Sequence, residues 1–222
     1  MAKQEKIKIT PPEMFGAMLA FNFTPAAYLH DSWWQAEWGV PEILENIRQS
    51  RSPGGLRQAS QYLLEQYGMQ KEVDFDFSEE AKQLGLLAGE ELQRIIERAG
   101  LVLQTQRVVR AIRREDRQRI KDAVGEEGFV FALKRGKRTL DSAGIKQEYK
   151  ETEEEDIKLT CVRLGMGIMV LAMADLPEAF VRRLQWKLPR GDVEAHWKKP
   201  QLDISKENAT RLLSILQRET KT

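Results

Sequence analysis

The sequence is poor in the residues from which reactive sites are most often built. It holds 1 Cys and 2 His in 222 residues. One cysteine, Cys161, excludes an intrachain disulfide and fits a reducing compartment. Metal sites draw on clustered His, Cys and carboxylates, and His30, His196 and Cys161 lie far apart in the chain. No metal and no cofactor is expected. A phosphate loop is also missing: "RGKRT" (Arg135 to Thr139) has Phe131 where the first glycine belongs and no Ser or Thr directly after Lys137. "GMG" at Gly165 lacks the third glycine of a dinucleotide loop and sits in a helical pattern, where small residues let helices pack closely.

Other absences bound the class. The longest apolar stretch, Leu164 to Ala174, lies between Arg163 and Asp175 and is too short to cross about 30 Å of hydrocarbon. The N-terminal lysines are followed by no apolar run, so no secretory signal is expected. No stretch alternates apolar and polar residues over a strand's length. Basic and acidic residues number 35 and 34, which excludes a strongly basic nucleic-acid protein and an acidic tail, though not local patches. A soluble, cytosolic chain with no membrane insertion follows as the expectation.

What the sequence does have is helix signals. Pro41 opens a segment with Ile43, Leu44 and Ile47 on one face. "SPGG", Ser52 to Gly55, predicts a break. The next helix carries Leu56, Ala59, Leu63 and Tyr67 and stops at Gly68. The acidic residues around Ser78 suit another start. Leu92, Ile95, Ile96 and Ala99 form one stripe, and Val108, Val109, Ile112, Ile120 and Val124 a second, with Gly100 expected to kink or divide them. "CVRLGMGIMVLAMA" predicts the most buried helix. A helix from Pro177 is expected to run until Pro189 stops it. A final helix has Ser205 as its cap and faces Leu212, Leu213 and Leu216 inward. The expected fold is all-α, a compact multi-helix unit of two packed halves. The expected division is 1–20 as a flexible N-terminal segment, 21–136 as the first half, 137–156 as a charged mobile connection and 157–222 as the second half.

The stretch "FTPAAYLHDSWW" tests whether there is an enzyme here. Thr24 suits an N-cap, Pro25 the first helical residue, and Phe23 with Tyr28 a hydrophobic staple across the helix start. His30 and Asp31 are sequence neighbours, and adjacent side chains on a helix do not share a face. The pattern specifies a helix start and makes no catalytic demand.

Three stretches carry a resemblance. "PAAYLH" (Pro25, Ala26, Ala27, Tyr28, Leu29, His30) after an aromatic is similar to the N-terminal motif of the SctK family, the YscK and PscK type of type III secretion proteins. "RAGLVLQTQRVVRAI", Arg98 to Ile112, resembles its central segment, with Ala99 where Leu is common. "LGMGIMVLAMADLPEAFVRRLQWKLP" resembles its late segment, ending in Arg183, Leu184, Leu188 and Pro189. The stretches occur in the family's order. The resemblance implies a non-enzymatic adaptor of the injectisome sorting platform. It would join the cytoplasmic domain of the SctD ring protein to the SctQ pod, and through that pod to SctL and the SctN ATPase.

Candidate contact residues come from charge and aromatic content. Arg107, Arg110, Arg114, Arg117 and Lys121 recur every three or four residues and are expected along one face of one helix. Three readings are open for them: a solvated face, a docking surface for an acidic partner, or a nucleic-acid site. The balanced charge and the lack of an interleaved aromatic platform weaken the last. Trp33, Trp34 and Trp38 stand too close together all to point one way, so at least one is expected at the surface as a partner contact.

Overall fold

The computed structural model describes residues 12–34, 41–146, 156–198, 200 and 202–220. Among these the chain is helical and has no strand. The helices are α1 (Pro12–Phe23), α2 (Pro41–Ser50), α3 (Pro53–Gln66), α4 (Glu80–Gln83), α5 (Gly89–Leu103), α6 (Thr105–Arg110), α7 (Arg114–Phe131), α8 (Lys137–Ser142), α9 (Ile157–Ala172), α10 (Glu178–Gln185), α11 (Arg190–His196) and α12 (Lys206–Thr220). Short 3-10 turns fill Pro25–Ala27, Asp31–Trp33 and Leu84–Leu86, and a π turn joins α7 to α8. Trp38 and residues 147–155 lie outside the described residues.

Local chemistry accounts for many of the boundaries. The break expected at "SPGG" falls between α2 and α3, at Arg51 (φ 43) and Ser52, and Ser52 then caps α3 by accepting a hydrogen bond from the Gly55 amide. Gly68, at φ 64, ends α3: its amide donates to Glu65 and the Met69 amide to Leu64, the double hydrogen bond of a left-handed helix stop. Asp156 caps α9 through the Lys158 and Leu159 amides. Ser205 caps α12 through the Asn208 amide. The helix expected at Ser78 begins at Glu80. The one expected to run to Pro189 ends at Gln185, and Pro189 instead leads into α11.

The centre of the molecule is the crossing of α5 and α9. Two glycines make it possible. A Cβ on Gly100 would stand 1.8 Å from the Cys161 carbonyl oxygen, and one on Gly165 would stand 1.9 Å from that of Ile96. Gly165 therefore does what its small size suggested. Gly100 does not divide a helix: α5 runs through it to Leu103. Around the crossing, Leu92, Ile95, Ile96 and Ala99 meet Leu164, Ile168, Met169 and Ala172, and α12 adds Leu212, Leu213 and Leu216, all buried. The buried apolar residues form one cluster that reaches from Met18 to Leu216.

Two further departures have physical causes. Residues 12–20, expected as part of a loose N-terminal segment, belong to α1, which buries Met18 and Phe21. Residues 137–142, expected in a mobile connection, form α8, held by buried Thr139 and Leu140.

Candidate interaction site

The N-terminal motif is folded as a clasp on the late motif. Pro25–Ala27 is a 3-10 turn and not a helix start, because the Thr24 hydroxyl donates back to the Ala20 carbonyl of α1 and caps nothing ahead of it. The expected Phe23–Tyr28 staple is absent. Phe23 points outward, while Tyr28 stacks on Phe21 and donates its hydroxyl to the Phe21 carbonyl at 2.8 Å. Ala26, buried, donates its amide to the Ser60 hydroxyl of α3. The His30 amide donates to the Trp186 carbonyl at 2.8 Å, Trp33 Nε1 to the Leu188 carbonyl at 2.8 Å, and the Arg190 amide to the Ser32 hydroxyl at 2.8 Å. His30 Nδ1 accepts from the Ser32 amide and so caps the second 3-10 turn, while Asp31 faces Arg51 at 3.7 Å. His30 serves the backbone and Asp31 an ion pair, and the two side chains have different partners.

Sequence reasoning missed two buried cations inside this clasp. Lys187 Nζ donates to the Gly85 and Leu87 carbonyls at 2.6 and 2.7 Å and lies 4.7 Å from the Tyr28 ring and 5.5 Å from that of Phe21. Burial pushes its ammonium down to about 8. The carbonyls and ring faces act the other way and favour the charge. Arg183, 2% exposed, donates to the Met69 and Ala179 carbonyls. Burial lowers its ordinary value as well, and it pushes the Tyr28 phenol far above its own. Nothing in the local sequence marks Lys187 as buried; only its place between Trp186 and Leu188 hints at it. Cys161 is likewise buried, its thiol pushed up to about 12 by desolvation, which keeps it unreactive.

The expected contact residues fare differently. Trp33 and Trp34 are 4% and 3% exposed, so both are core residues in this chain and neither offers its ring to a partner. Trp33 closes a tight 3-10 turn against α11, where Arg190 lies over its ring at 5.6 Å, and Trp34 follows as the C-cap of that turn. The basic run does not share one helix face. α6 ends at Arg110, Ala111 has ψ 88, and α7 starts afresh at Arg114. Arg107 belongs to α6 and is partly buried, whereas Arg110, Arg114 and Arg117 are exposed. Arg117 and Lys121 lie over the Phe129 ring at 5.6 and 5.2 Å, because α7 turns at Gly125 (φ 77) and brings Phe129 back toward them. Lys121 also pairs with Glu126 at 2.8 Å. Val109 and Ile112, expected in the core stripe, are 51% and 87% exposed. The break turns them out while Val108 and Ile120 stay buried.

Two exposed apolar surfaces result. One is Val109 and Ile112 among Arg110, Arg113 and Arg114. The other is the outer side of α1, where Phe15, Leu19 and Phe23 stand beside Phe75. Among the described residues no group of His, Cys, Asp and Glu is arranged to hold a metal ion. A small pocket of about 70 Å³ lies between Val102, Gln106, Leu140 and Ile145. No helix among the described residues is long and apolar enough to cross a membrane.

The comparisons with known proteins agree with the arrangement of motifs. No curated protein and no solved structure matches the chain. The family described as YOP proteins translocation protein K (YscK) matches it over residues 17–221, a span that takes in the clasp, the α5–α9 crossing and α12. The chain therefore belongs to the YscK family, proteins of type III secretion.

Proposed function

We propose that this protein is a non-enzymatic cytoplasmic adaptor of the injectisome sorting platform. It joins the cytoplasmic domain of a SctD-type inner-membrane ring protein to a SctQ-type pod protein, and through that pod to SctL and the SctN ATPase. No membrane insertion and no nucleic acid enter this reading. Family membership supports the setting. Adaptor chemistry is supported by one observation above the rest: Ile112, 87% exposed, lies on a non-helical link between α6 and α7, and Arg110, Arg113 and Arg114, within two residues of it in the chain, are exposed as well. An exposed apolar side chain on a link rich in exposed arginines suits an interface with an acidic, partly apolar partner surface. Tyr28, Lys187, Arg183 and Cys161, the groups whose proton affinity burial shifts most, are engaged in packing, which supports a scaffold.

The test is co-purification of the full chain with each partner separately, SctD-type cytoplasmic domain and SctQ-type pod protein. Arg110→Glu, Arg114→Glu and Arg117→Glu are combined, since all three side chains are exposed. The triple variant keeps a helical circular dichroism spectrum and loses one partner. Retention of both partners by the folded triple variant would overturn this face as the docking surface. Wild-type binding to duplex or single-stranded nucleic acid with a steep salt dependence, lost in the variant, would replace the adaptor with a nucleic-acid-binding regulator.

A further inference from the structure

α1 breaks the rule for a surface helix. Such a helix shows one apolar stripe and a polar outer face. The sequence of α1, PEMFGAMLAFNF, contains two polar residues, Glu13 and Asn22. Asn22 is buried, its amide donating to the carbonyls of Met18 and Asp74. That leaves an outer face of Phe15, Leu19 and Phe23, spaced i, i+4, i+8, with Gly16 and Ala20 as a shallow groove beside them. Gly16 opens onto empty space. Phe75, from the extended segment after α3, stacks on Phe15 at 6.4 Å and meets Phe23 at 6.2 Å, so the ridge is held in place from the side. Val73, also exposed, continues it.

The surroundings of the ridge are acidic. The segment from Lys71 to Glu80 carries Glu72, Asp74, Asp76, Glu79 and Glu80 against Lys71 alone. Lys82 takes Asp74 and Glu79, and Arg218 takes Glu80. Glu13, Glu72 and Asp76 form no ion pair among the described residues.

We propose that the outer face of α1, together with Phe75, docks an amphipathic helix of a partner protein whose apolar stripe is flanked by Lys or Arg. From Phe15 to Phe23 the ridge runs about 12 Å, a little over two helical turns. The groove at Gly16 and Ala20 admits the side chains of a second helix at close range. A second copy of this chain would bring two acidic rims together, which opposes self-association here. Residues 1–11 offer Met1, Ile7 and Ile9 as large apolar side chains, too few to cover Phe15, Leu19, Phe23, Val73 and Phe75. This face is separate from the arginine face around Ile112, so either assignment can fail without the other.

The experiment uses the full chain and two fluorescein-labelled amphipathic helical peptides, one of Leu and Lys, the other with the same Leu positions and Glu for Lys, followed by fluorescence anisotropy. Leu19→Ser combined with Phe23→Ser lowers affinity for the Leu/Lys peptide about tenfold or more and leaves the Leu/Glu peptide unaffected. Glu72→Lys with Asp76→Lys does the same to the Leu/Lys peptide while the apolar ridge is intact. The arginine triple variant keeps wild-type affinity for the Leu/Lys peptide. Melting temperatures of all variants are measured alongside. If Leu19→Ser/Phe23→Ser loses its fold, the charge pair alone decides. Unchanged Leu/Lys affinity in the folded variants, or equal loss of both peptides, overturns the proposal. So does a gain of about tenfold on deleting residues 1–11, which would make that segment the occupant. A wild-type dimer that Leu19→Ser dissociates in sedimentation would make the occupant a second copy and overturn it equally.

Discussion

Lys187 and Tyr28 show how much of the structure depends on single side chains. Lys187 closes the 3-10 turn at Leu84–Leu86 by donating to two of its carbonyls, and Tyr28 covers the ammonium. Tyr28→Phe removes one hydrogen bond and should cost about 1 kcal/mol. Tyr28→Ala also empties the space against Phe21 and Lys187 and should cost about 2–4 kcal/mol. Both are read from the urea midpoint at constant slope. Lys187 gives a pH signature. Its folded value of about 8 lies below the ordinary 10.5. Between those values the unfolded chain holds a proton that the folded chain has released. The Lys187 contribution to stability therefore rises as pH rises through that window. Stability measured at pH 7 and again near the top of the window should show wild type gaining on Lys187→Met. An unchanged difference would mean that carbonyls and rings hold the ammonium at its ordinary value. None of this was legible in the sequence. A lysine between Trp186 and Leu188 looks like any helix-end lysine until the fold brings Gly85 and Leu87 to it.

At the scale of elements, apolar runs and caps were readable and interruptions were not. α9 lies where its apolar run puts it and α12 where its apolar spacing and its Ser205 cap put it, whereas the Asp156 cap of α9 falls inside the stretch expected as a mobile connection. α1 escaped notice because it lacks a polar face, and without contrast there is no period to read. The break after Arg110 was invisible because no Gly or Pro marks it. The turn that matters sits later, at Gly125. Gly100 was marked as a helix divider, but its role is to let a carbonyl through. That difference can be measured. Gly100→Ala and Gly165→Ala each push a Cβ into backbone oxygen and should cost about 3 kcal/mol or more, seen as a large fall in denaturant midpoint. Gly16→Ala meets nothing within 4 Å in the middle of α1 and should instead stabilise by about 0.5–1 kcal/mol through helix propensity. A Gly100→Ala variant as stable as wild type would mean that the two helices can separate without loss, which the burial of Ala99 and Cys161 argues against.

For the whole molecule, the family motifs prove to be parts of one core and not three local signatures. PAAYLH and the stretch ending in WKLP are clasped together, and the central and late stretches cross at paired glycines. A sequence can show such motifs in order, but which touches which is a property of the closed chain. The contact residues were least legible for the same reason. Two tryptophans that composition would place at an interface are buried, while an isoleucine assigned to the core stands in solvent. A chain ending at Asp175 should lose its cooperative melt by circular dichroism, although α3, α5 and α7 remain in its sequence, because Trp186, Leu188 and α12 are gone. The clasp also sets a clock on biosynthesis. Trp33 waits for a carbonyl 155 positions downstream. At a ribosome's pace of roughly 5–20 residues per second, that wait is on the order of ten to thirty seconds. Through that interval Phe21 lacks its late partner Phe180 and Trp33 lacks the Leu188 carbonyl. A chain stopped before Leu188 is therefore expected to expose part of this core, and pulse-labelled truncations should be cleaved by added protease faster than the full chain.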